Sequence, residues 1–165
     1  MGRYRAPQKP GSKYITPEGH HHLAKELDYL WFELRPEVTR AVSAAAAEGD
    51  RSENAEYIYR KKQLRQIDGR VRHLRKRLEG IKVVTTTPDN KDKVFFGAWV
   101  TVENEDGEEQ RYRIVGPDEF DMEDDYISMD SPVAKALLGK NLDDEVTIEL
   151  PKGKQQLVIV NIEYQ

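Results

Sequence analysis

Residues 48 to 57 read EGDRSENAEY, and this polar stretch, here called the tip, decides how the N-terminal half of the chain folds. On both sides of it, apolar residues recur almost entirely at steps of three or four, the spacing of a coiled-coil seam. The seam residues are Leu23, Leu27, Leu30, Leu34, Val38, Ala41 and Ala45, and then Tyr57, Leu64, Ile67, Val71, Leu74, Leu78 and Ile81. Two seams of matching length joined by few polar residues predict an antiparallel helical hairpin over residues 17 to 83.

Each arm of such a hairpin is roughly 45 Å long at about 1.5 Å per residue. A single pair of helices has little core, so a projecting arm and a packed bundle or dimer are both open. The separate globular character of the C-terminal half favours the projecting arm.

The first arm has a clear start signal and one expected irregularity. Thr16 supplies a capping hydroxyl, Pro17 occupies the first helical position, and Glu18 places an acid in the first turn. Pro36 lies inside the arm and has no backbone N–H, so a kink is expected near it. Residues 1 to 16 are basic, rich in Pro and Gly and without periodicity, which predicts a flexible arm.

The acidic residues of the tip have a structural and a functional interpretation. Asp50 can cap the second helix, with Glu53 three residues on as in a capping box, and Gly49 can end the first helix. The same spacing lets both carboxylates project together, and carboxylates without His or Cys suit Mg²⁺. Two protein ligands make an incomplete site, so a partner must supply the remaining oxygens. Tyr57 can either pack in the seam or reach a ligand.

Below the tip, residues 60 to 82 carry ten basic residues against two acidic ones. A charged helix face is commonly only solvated, but this excess favours contact with the phosphate backbone of a nucleic acid. The bases nearest the tip are the preferred RNA-contacting set and are called the basic face: Arg60, Lys61, Lys62 and Arg65.

The C-terminal half has the pattern of a small strand-rich domain. Residues 84 to 93 have the composition of a linker, and residues 94 to 165 form the domain. Strands are predicted over residues 94–103, 111–115, 126–129, 146–150 and 156–164, with one helix from Ser131 to Leu138 ended by Gly139. The prediction is a small antiparallel sheet with one packed helix, which makes the whole chain α+β.

This domain has no catalytic constellation. The acidic run of Asp118, Glu119, Asp121, Glu123, Asp124 and Asp125 is interpreted as a solvated loop. The better functional interpretation is protein docking through the helix around Ser131 to Leu138 and its flanking strand.

Charge is distributed unevenly along the chain. The 26 Lys and Arg residues and 30 Asp and Glu residues give a net charge of −4, made up of +4 for residues 1 to 16, +3 for residues 17 to 82 and −11 for residues 83 to 165. A basic half joined to an acidic half indicates different partners for the two parts. The absence of cysteine excludes disulfides and thiolate sites. No apolar run approaches the length of a membrane span, so a cytoplasmic protein is expected.

The motifs resemble those of a known family. The stretch from Gly49 to Tyr57 is similar to the signature of the Gre transcript-cleavage factors of bacterial RNA polymerase. The resemblance extends over most of the chain through the motifs YLW at 29–31, RPEV at 35–38, VFFGAWV at 94–100, RIVG at 113–116 and DYIS at 125–128. These further motifs resemble the GreB type of that family.

The resemblance implies a fold and a mechanism. The coiled coil is expected to enter the secondary channel of RNA polymerase, and an FKBP-like C-terminal domain to dock outside it. Asp50 and Glu53 are expected to hold a Mg²⁺ ion shared with the polymerase active site, with Ser52, Asn54 and Tyr57 as supporting tip residues. The polymerase then cleaves the extruded 3′ end of its nascent RNA, so the protein is a stimulator and not itself an enzyme. A monomer with no tightly bound metal when free is expected.

A docking motif is also part of the resemblance. Residues 131 to 137 read SPVAKAL, similar to the family pattern Ser-Pro-x-Ala-Arg-Ala-Leu. The residues implied in docking are Asp130, Ser131, Pro132, Lys135 and Leu137. Lys135 replaces the usual Arg, which keeps the charge but loses bidentate geometry.

Two alternatives to transcript cleavage remain open at this point. One is a protein that occupies the secondary channel and regulates the polymerase without cleavage; the acid pair favours cleavage over it. The other is a coiled-coil adaptor unrelated to polymerase, in which the tip acids only cap a helix.

Overall fold

The computed structural model describes residues 11–50 and 52–165 and divides the chain into two compact units. One unit is His20–Ile81, and the other combines the described residues up to Gly19 with Lys82–Gln165. The first is helical and the second is built around a sheet, so the predicted α+β class is confirmed. Among the described residues, no helix has both the length and the apolar composition needed to cross a membrane.

The helical hairpin is present, with one irregular segment in its first arm. The first arm consists of α1 (Pro17–Asp28), a π-helical segment (Tyr29–Leu34) and α2 (Arg35–Ala46). The second arm is a continuous helix, α3 (Ala55–Gly80), and α2 packs against it. The predicted antiparallel hairpin is therefore confirmed.

The buried positions of the first arm follow the predicted seam. Leu23, Leu30, Val38 and Ala45 are buried, at steps of seven, eight and seven. The step of eight crosses the π-helical segment, where each turn contains more residues than a turn of α-helix. The additional residue keeps the next apolar side chain on the buried side.

A π-helical segment immediately precedes Arg35 and Pro36, the region where the sequence predicts a kink. The Arg35 N–H donates to the Leu30 carbonyl, five residues back, as a π-helix requires. Pro36 follows immediately and has no N–H to donate to the preceding turn. The regular ladder of hydrogen bonds is thus modified just before the proline.

Ion pairs across the hairpin tie its two arms together. Arg70 donates to both carboxylate oxygens of Glu26, at 2.7 and 2.9 Å. Arg35 donates from Nε to Asp68 at 2.7 Å. The hydrogen bond from Arg70 holds the pKa of Glu26 below its ordinary value despite partial burial. Some of the charged residues on these helices therefore hold the hairpin together.

The second unit contains a five-stranded sheet. Its strands are β3 (Trp99–Asn104), β4 (Glu109–Val115), β5 (Tyr126–Ser128), β6 (Glu145–Leu150) and β7 (Gly153–Glu163). They lie in the order β5-β4-β3-β7-β6. The prediction of an antiparallel sheet is wrong for one pair, because β5 runs parallel to β4. Apolar periodicity assigns the faces of a strand but not its direction, so the sequence could not distinguish the two.

The first predicted strand begins later than expected. Residues 94 to 98 are not part of β3, because Gly97 adopts a left-handed backbone with φ of +86° and the Ala98 N–H turns back to the Phe95 carbonyl. Val94 is nevertheless fully buried. Val94 packs in the core from a turn. In the sequence, an apolar residue in such a turn cannot be distinguished from one in a strand.

The core of the sheet unit lies between one face of the sheet and the short helix α4 (Pro132–Leu137). Alternate residues of the strands point into it, as expected for a sheet with one covered face. The buried core residues are Val94, Ala98, Val100, Val102, Ile114, Ala134, Leu137, Val146, Ile148, Leu157 and Ile159. The packing of α4 on the sheet was predicted and is confirmed.

The segment before the hairpin is part of the sheet unit. Here β1 (Tyr14–Ile15) pairs in parallel with β2 (Lys82–Val83), and Ile15 is fully buried. The prediction of a flexible arm over residues 1 to 16 is therefore wrong for residues 12 to 16, because the chain downstream of the hairpin supplies a pairing edge and Asp130 accepts hydrogen bonds from Ser12. Residues 1 to 10 lie outside the described residues.

A buried carboxylate joins this segment to the loop after β4. Oε2 of Glu119 accepts hydrogen bonds from the backbone N–H groups of Thr16, at 2.7 Å, and Gly116, at 3.3 Å. Oε1 is hydrogen-bonded to the Thr16 hydroxyl. Glu119 is fully buried, so the interpretation of residues 118 to 125 as a solvated loop is wrong at this position.

The same contact includes the start of α1. The Gly19 N–H donates to Oγ1 of Thr16 at 3.1 Å, which confirms Thr16 as the helix cap. A β-carbon at Gly19 would lie 2.6 Å from Oε1 of Glu119. A side chain at position 19 would therefore displace the carboxylate.

We predict that Glu119 makes stability fall as pH rises. Burial raises the pKa of Glu119 despite its hydrogen bonds. The folded chain therefore keeps this proton at pH values where the unfolded chain has lost it. The contribution is fully present below the ordinary carboxyl pKa and is lost as pH rises through the raised value, by about 1.4 kcal/mol for each unit by which the pKa is raised.

Urea unfolding at a series of pH values tests this prediction. Glu119→Gln keeps the shape of the protonated acid, since its carbonyl can accept from the two N–H groups and its amide can donate to Thr16. We expect wild type to lose stability relative to Glu119→Gln as pH rises, and the exposed neighbour variant Glu123→Gln to follow wild type. Parallel pH curves for wild type and Glu119→Gln would contradict the prediction.

Candidate functional site

The helix at the tip is capped by Asn54. Its Oδ1 accepts from the Tyr57 N–H at 3.1 Å, which satisfies one of the first N–H groups of α3. Its Nδ2 donates to the Ala45 carbonyl at 2.7 Å, near the end of α2. One side chain thus starts the second arm and binds the end of the first. The interpretation of Asp50 as the cap is wrong, because α3 begins at Ala55.

Asp50 instead forms a compact turn within the loop. Its Oδ1 accepts from the backbone N–H of Ser52 at 3.0 Å and from the Ser52 hydroxyl at 2.9 Å. These hydrogen bonds, the backbone one first, hold the pKa of Asp50 below its ordinary value. The carboxylate is exposed and ionised at neutral pH, and neither hydrogen bond from Ser52 involves its second oxygen, Oδ2.

Glu53 lies in the same turn. Its N–H donates to the Asp50 carbonyl at 3.3 Å, and its side chain is exposed. The structure therefore brings the two predicted acids into one short loop. Arg51, between them, lies outside the described residues.

These two carboxylates suit a hard divalent cation but do not complete a site. Among residues 11–50 and 52–165, no group of three or more His, Cys, Asp or Glu side chains is placed to hold a metal ion. Mg²⁺ commonly takes one or two protein carboxylates and fills its remaining positions with water and phosphate oxygens. The pair at the tip fits that chemistry as one part of a shared site.

The basic face lies on the first half of α3, and its members differ. Lys61, Lys62 and Arg65 are exposed. Arg60 is half-buried and donates to Glu56 at 2.8 Å and to Gln63 at 3.0 Å. The three exposed bases are therefore the better placed to meet a polyanion.

Bases farther from the tip have structural contacts. Arg70 pairs with Glu26 across the hairpin, and the Arg75 guanidinium lies 4.3 Å from the centre of the Trp31 ring. Cation–π contacts of this kind stabilise helix packing. Part of the positive charge over residues 60 to 82 therefore stabilises the hairpin itself, through Arg70 and Arg75.

Two apolar residues beside the tip were not identified from the sequence. Ile58 is 52% exposed and Tyr59 is 59% exposed. The sequence does contain an indication of their exposure, because neither residue belongs to the seam, whose nearest members are Tyr57 and Leu64. Large apolar side chains that lie off the seam of an otherwise charged helix are expected to be exposed.

The predicted docking residues separate into exposed and structural ones. Ser131 caps α4 by accepting from the Ala134 N–H at 3.2 Å. Pro132, the first residue of α4, and Lys135 are exposed. These two can meet a partner.

The remaining two docking residues have roles inside the unit. Leu137 is fully buried in the core, so its assignment as a contact residue is wrong: as the last residue of α4 it packs on the sheet. The Asp130 carboxylate accepts from the backbone N–H of Ser12 at 2.9 Å and from its hydroxyl at 2.5 Å. Asp130 therefore holds the segment before β1.

Comparison with known proteins gives matches over nearly the whole chain. Residues 13–83 match the family profile described as "Transcription elongation factor, N-terminal", and residues 88–164 match "Transcription elongation factor, GreA/GreB, C-term". Transcription elongation factor GreB of Pseudomonas aeruginosa is 60% identical over 164 residues, covering 99% of this chain and 98% of the relative.

Other matches agree with these. Transcription elongation factor GreB of Xanthomonas axonopodis pv. citri is 58% identical over 165 residues, covering 99% of this chain and 98% of the relative. Among solved structures, GreA factor homolog 1 of Thermus thermophilus is 25% identical, with a TM-score of 0.42 over 91% of this chain and 97% of that chain. The assignment of a family rests on the sequence matches.

We predict that Asn54→Ala destabilises the hairpin by about 1 to 2 kcal/mol, because it removes both a helix cap and the hydrogen bond to Ala45. Asn54→Asp keeps the capping oxygen but loses the donor, so its loss of stability should be intermediate. Urea unfolding followed by helical circular dichroism measures both. Unchanged stability in Asn54→Ala would contradict this role, and Ser52→Ala, which leaves the cap intact, is the control.

Proposed function

The chain belongs to the GreA/GreB family of transcription elongation factors and is of the GreB type, and on this basis we propose that it binds bacterial RNA polymerase and stimulates cleavage of backtracked nascent RNA. The hairpin enters the secondary channel, and the polymerase cuts the extruded 3′ end at its own active site. The observation that carries this proposal is the exposed pair Asp50 and Glu53 in one turn at the end of a helical hairpin.

The length of the hairpin suits insertion into a channel. α3 has 26 residues, and at about 1.5 Å per residue it extends roughly 39 Å. Asn54 donates a hydrogen bond to Ala45 at the end of α2, so the start of α3 is held to the end of α2 and the acids lie in the loop between them.

The tip acids contribute an incomplete ligand set that the polymerase completes. Asp50 and Glu53 would hold a Mg²⁺ ion jointly with the polymerase active site. Bound there, the ion supplies charge stabilisation to the attacking and leaving oxygens of phosphodiester cleavage. Ser52 lowers the pKa of Asp50 and orients it, and neither of its hydrogen bonds involves the second oxygen, Oδ2. Because Asp50 and Glu53 would supply only part of the ion's coordination, the protein acts as a stimulator and the polymerase active site performs the cleavage.

The basic face and the docking residues of α4 have supporting roles in this function. The exposed bases Lys61, Lys62 and Arg65 contact the phosphates of the extruded RNA, which makes that contact sensitive to salt. The exposed end of α4, with Pro132 and Lys135, docks on the polymerase outside the channel. A channel-binding regulator that does not cleave is the second candidate, and the pair of acids at the tip favours cleavage over it.

We predict that Asp50→Asn combined with Glu53→Gln lowers stimulated cleavage by at least about tenfold, because even the loss of groups that only orient metal ligands costs about 10- to 100-fold. An Asn at position 50 can still accept from Ser52, so the turn is kept while the charge is lost. The measurement is cleavage of 3′-extruded RNA in stalled polymerase complexes.

A charge-matched control distinguishes ligation from general negative potential. Glu48→Gln with Glu56→Gln removes two charges from the same tip but neither proposed ligand, and we expect near wild-type cleavage. Equal activity of wild type and the Asp50/Glu53 variant would end the metal hypothesis. Polymerase binding without any cleavage by wild type would favour the non-cleaving regulator.

For docking, we predict that Pro132→Arg weakens polymerase binding by at least about tenfold, or about 1.4 kcal/mol. Pro132 is exposed, so the larger side chain meets the partner and not the core. Pro151→Arg, at an exposed proline in the turn between β6 and β7, is the matched control and should bind normally. Binding is measured by competition for core polymerase; retained binding in Pro132→Arg would move the docking site elsewhere.

A further inference from the structure

The exposed apolar residues beside the tip carry a further inference. We propose that Ile58 and Tyr59, here called the stacking surface, bind an unpaired base of the extruded RNA. The proposal deepens the proposed function and rests on it, because it assigns a ligand to one more part of the same tip. It assigns base contact to side chains outside the predicted acid pair and basic face.

The exposure of these side chains is unusual for the helix that carries them. The buried side of α3 is formed by Ile67, Val71 and Leu74, and its other faces are mostly charged or polar. More than half of the surface of Ile58 and of Tyr59 faces solvent. Packing of the hairpin therefore does not explain why position 59 carries an aromatic ring.

The helical spacing surrounds the stacking surface with positive charge. Residues three, four and seven positions apart share a helix face, so Ile58 lies beside Lys61, Lys62 and Arg65. Tyr59 shares its face with Lys62 by the same rule. All three bases are exposed.

The nearest acid on the Tyr59 face is paired with a base. Glu56, three residues before Tyr59, accepts from Arg60 Nε at 2.8 Å. The Arg60 guanidinium also lies 5.6 Å from the centre of the Tyr59 ring. This pair is neutral as a whole, so the positive charge on the Tyr59 face comes from the exposed Lys62.

This combination matches the chemistry of single-stranded RNA. Proteins that hold single strands pair a positive groove for the backbone with aromatic faces on which bases stack. Tyr59 lies in the second turn of α3, about 6 Å along the axis from Ala55 at about 1.5 Å per residue. A base stacked there would hold the RNA just past the tip acids. Only an extruded strand long enough to reach Tyr59 would be held in this way.

The test compares variants of the full chain on polymerase complexes with a long 3′ extrusion bearing a photoreactive base. Tyr59→Ala should weaken RNA capture by about fivefold or more, since stacking contributes about 1 to 3 kcal/mol per base, whereas Tyr59→Phe should retain it. Because stacking is uncharged, the loss should be similar at low and high salt. Lys61→Ala with Arg65→Ala should instead flatten the salt dependence.

Tyr29→Ala is the matched control, since Tyr29 is 49% exposed but lies in the other arm, and it should capture RNA normally. Equal capture by wild type and Tyr59→Ala, with normal cleavage by both, would overturn this inference alone. Weaker binding of Tyr59→Ala to polymerase without extruded RNA would assign the surface to protein contact and also overturn it. Absence of cleavage by wild type would overturn the proposed function and this inference together.

Discussion

The buried carboxylate of Glu119 accepts hydrogen bonds from a chain segment 103 residues away, and the start of the first helix depends on that contact. An unpartnered buried carboxylate is strongly destabilising, so its hydrogen bonds to Thr16 and Gly116 are needed for it to be buried at all. Gly19 has no side chain to displace it. The cap of α1 is thus built partly from the loop after β4, and the segment before the hairpin becomes part of the sheet unit.

At the tip, the identity of the capping residue determines which carboxylates remain available. Asn54 takes the cap and binds Ala45, which closes the hairpin with a neutral side chain. Asp50 is then free of the helix end, and its hydrogen bonds from Ser52 lower its pKa. Had Asp50 been the cap, its carboxylate would have accepted from the first N–H groups of α3. Helix capping and the proposed metal contact therefore fall to different residues.

The near balance of charge in the whole chain conceals two groups of basic residues with different surroundings. Arg70 binds Glu26 within the hairpin, whereas Lys61, Lys62 and Arg65 are exposed beside the tip. A net charge of −4 describes neither population. In the proposed function, positive charge near an acidic tip is compatible with RNA, because the phosphates would lie along the helix while the acids would meet the metal. The exposed Tyr59 ring in the same region would add an uncharged contact that salt does not screen.

The pattern of residues was enough to predict the α+β class, the helical hairpin, the five strands of the larger sheet, the Thr16 cap and the nearness of Asp50 and Glu53, because each follows from spacing along the chain. It did not predict that Glu119 is buried, that β5 runs parallel to β4, or that Leu137 packs inward while the other end of α4 is exposed. Periodicity specifies which face of an element is apolar, but the burial of an ionisable side chain and the direction of a strand depend on hydrogen-bond partners far away in the chain.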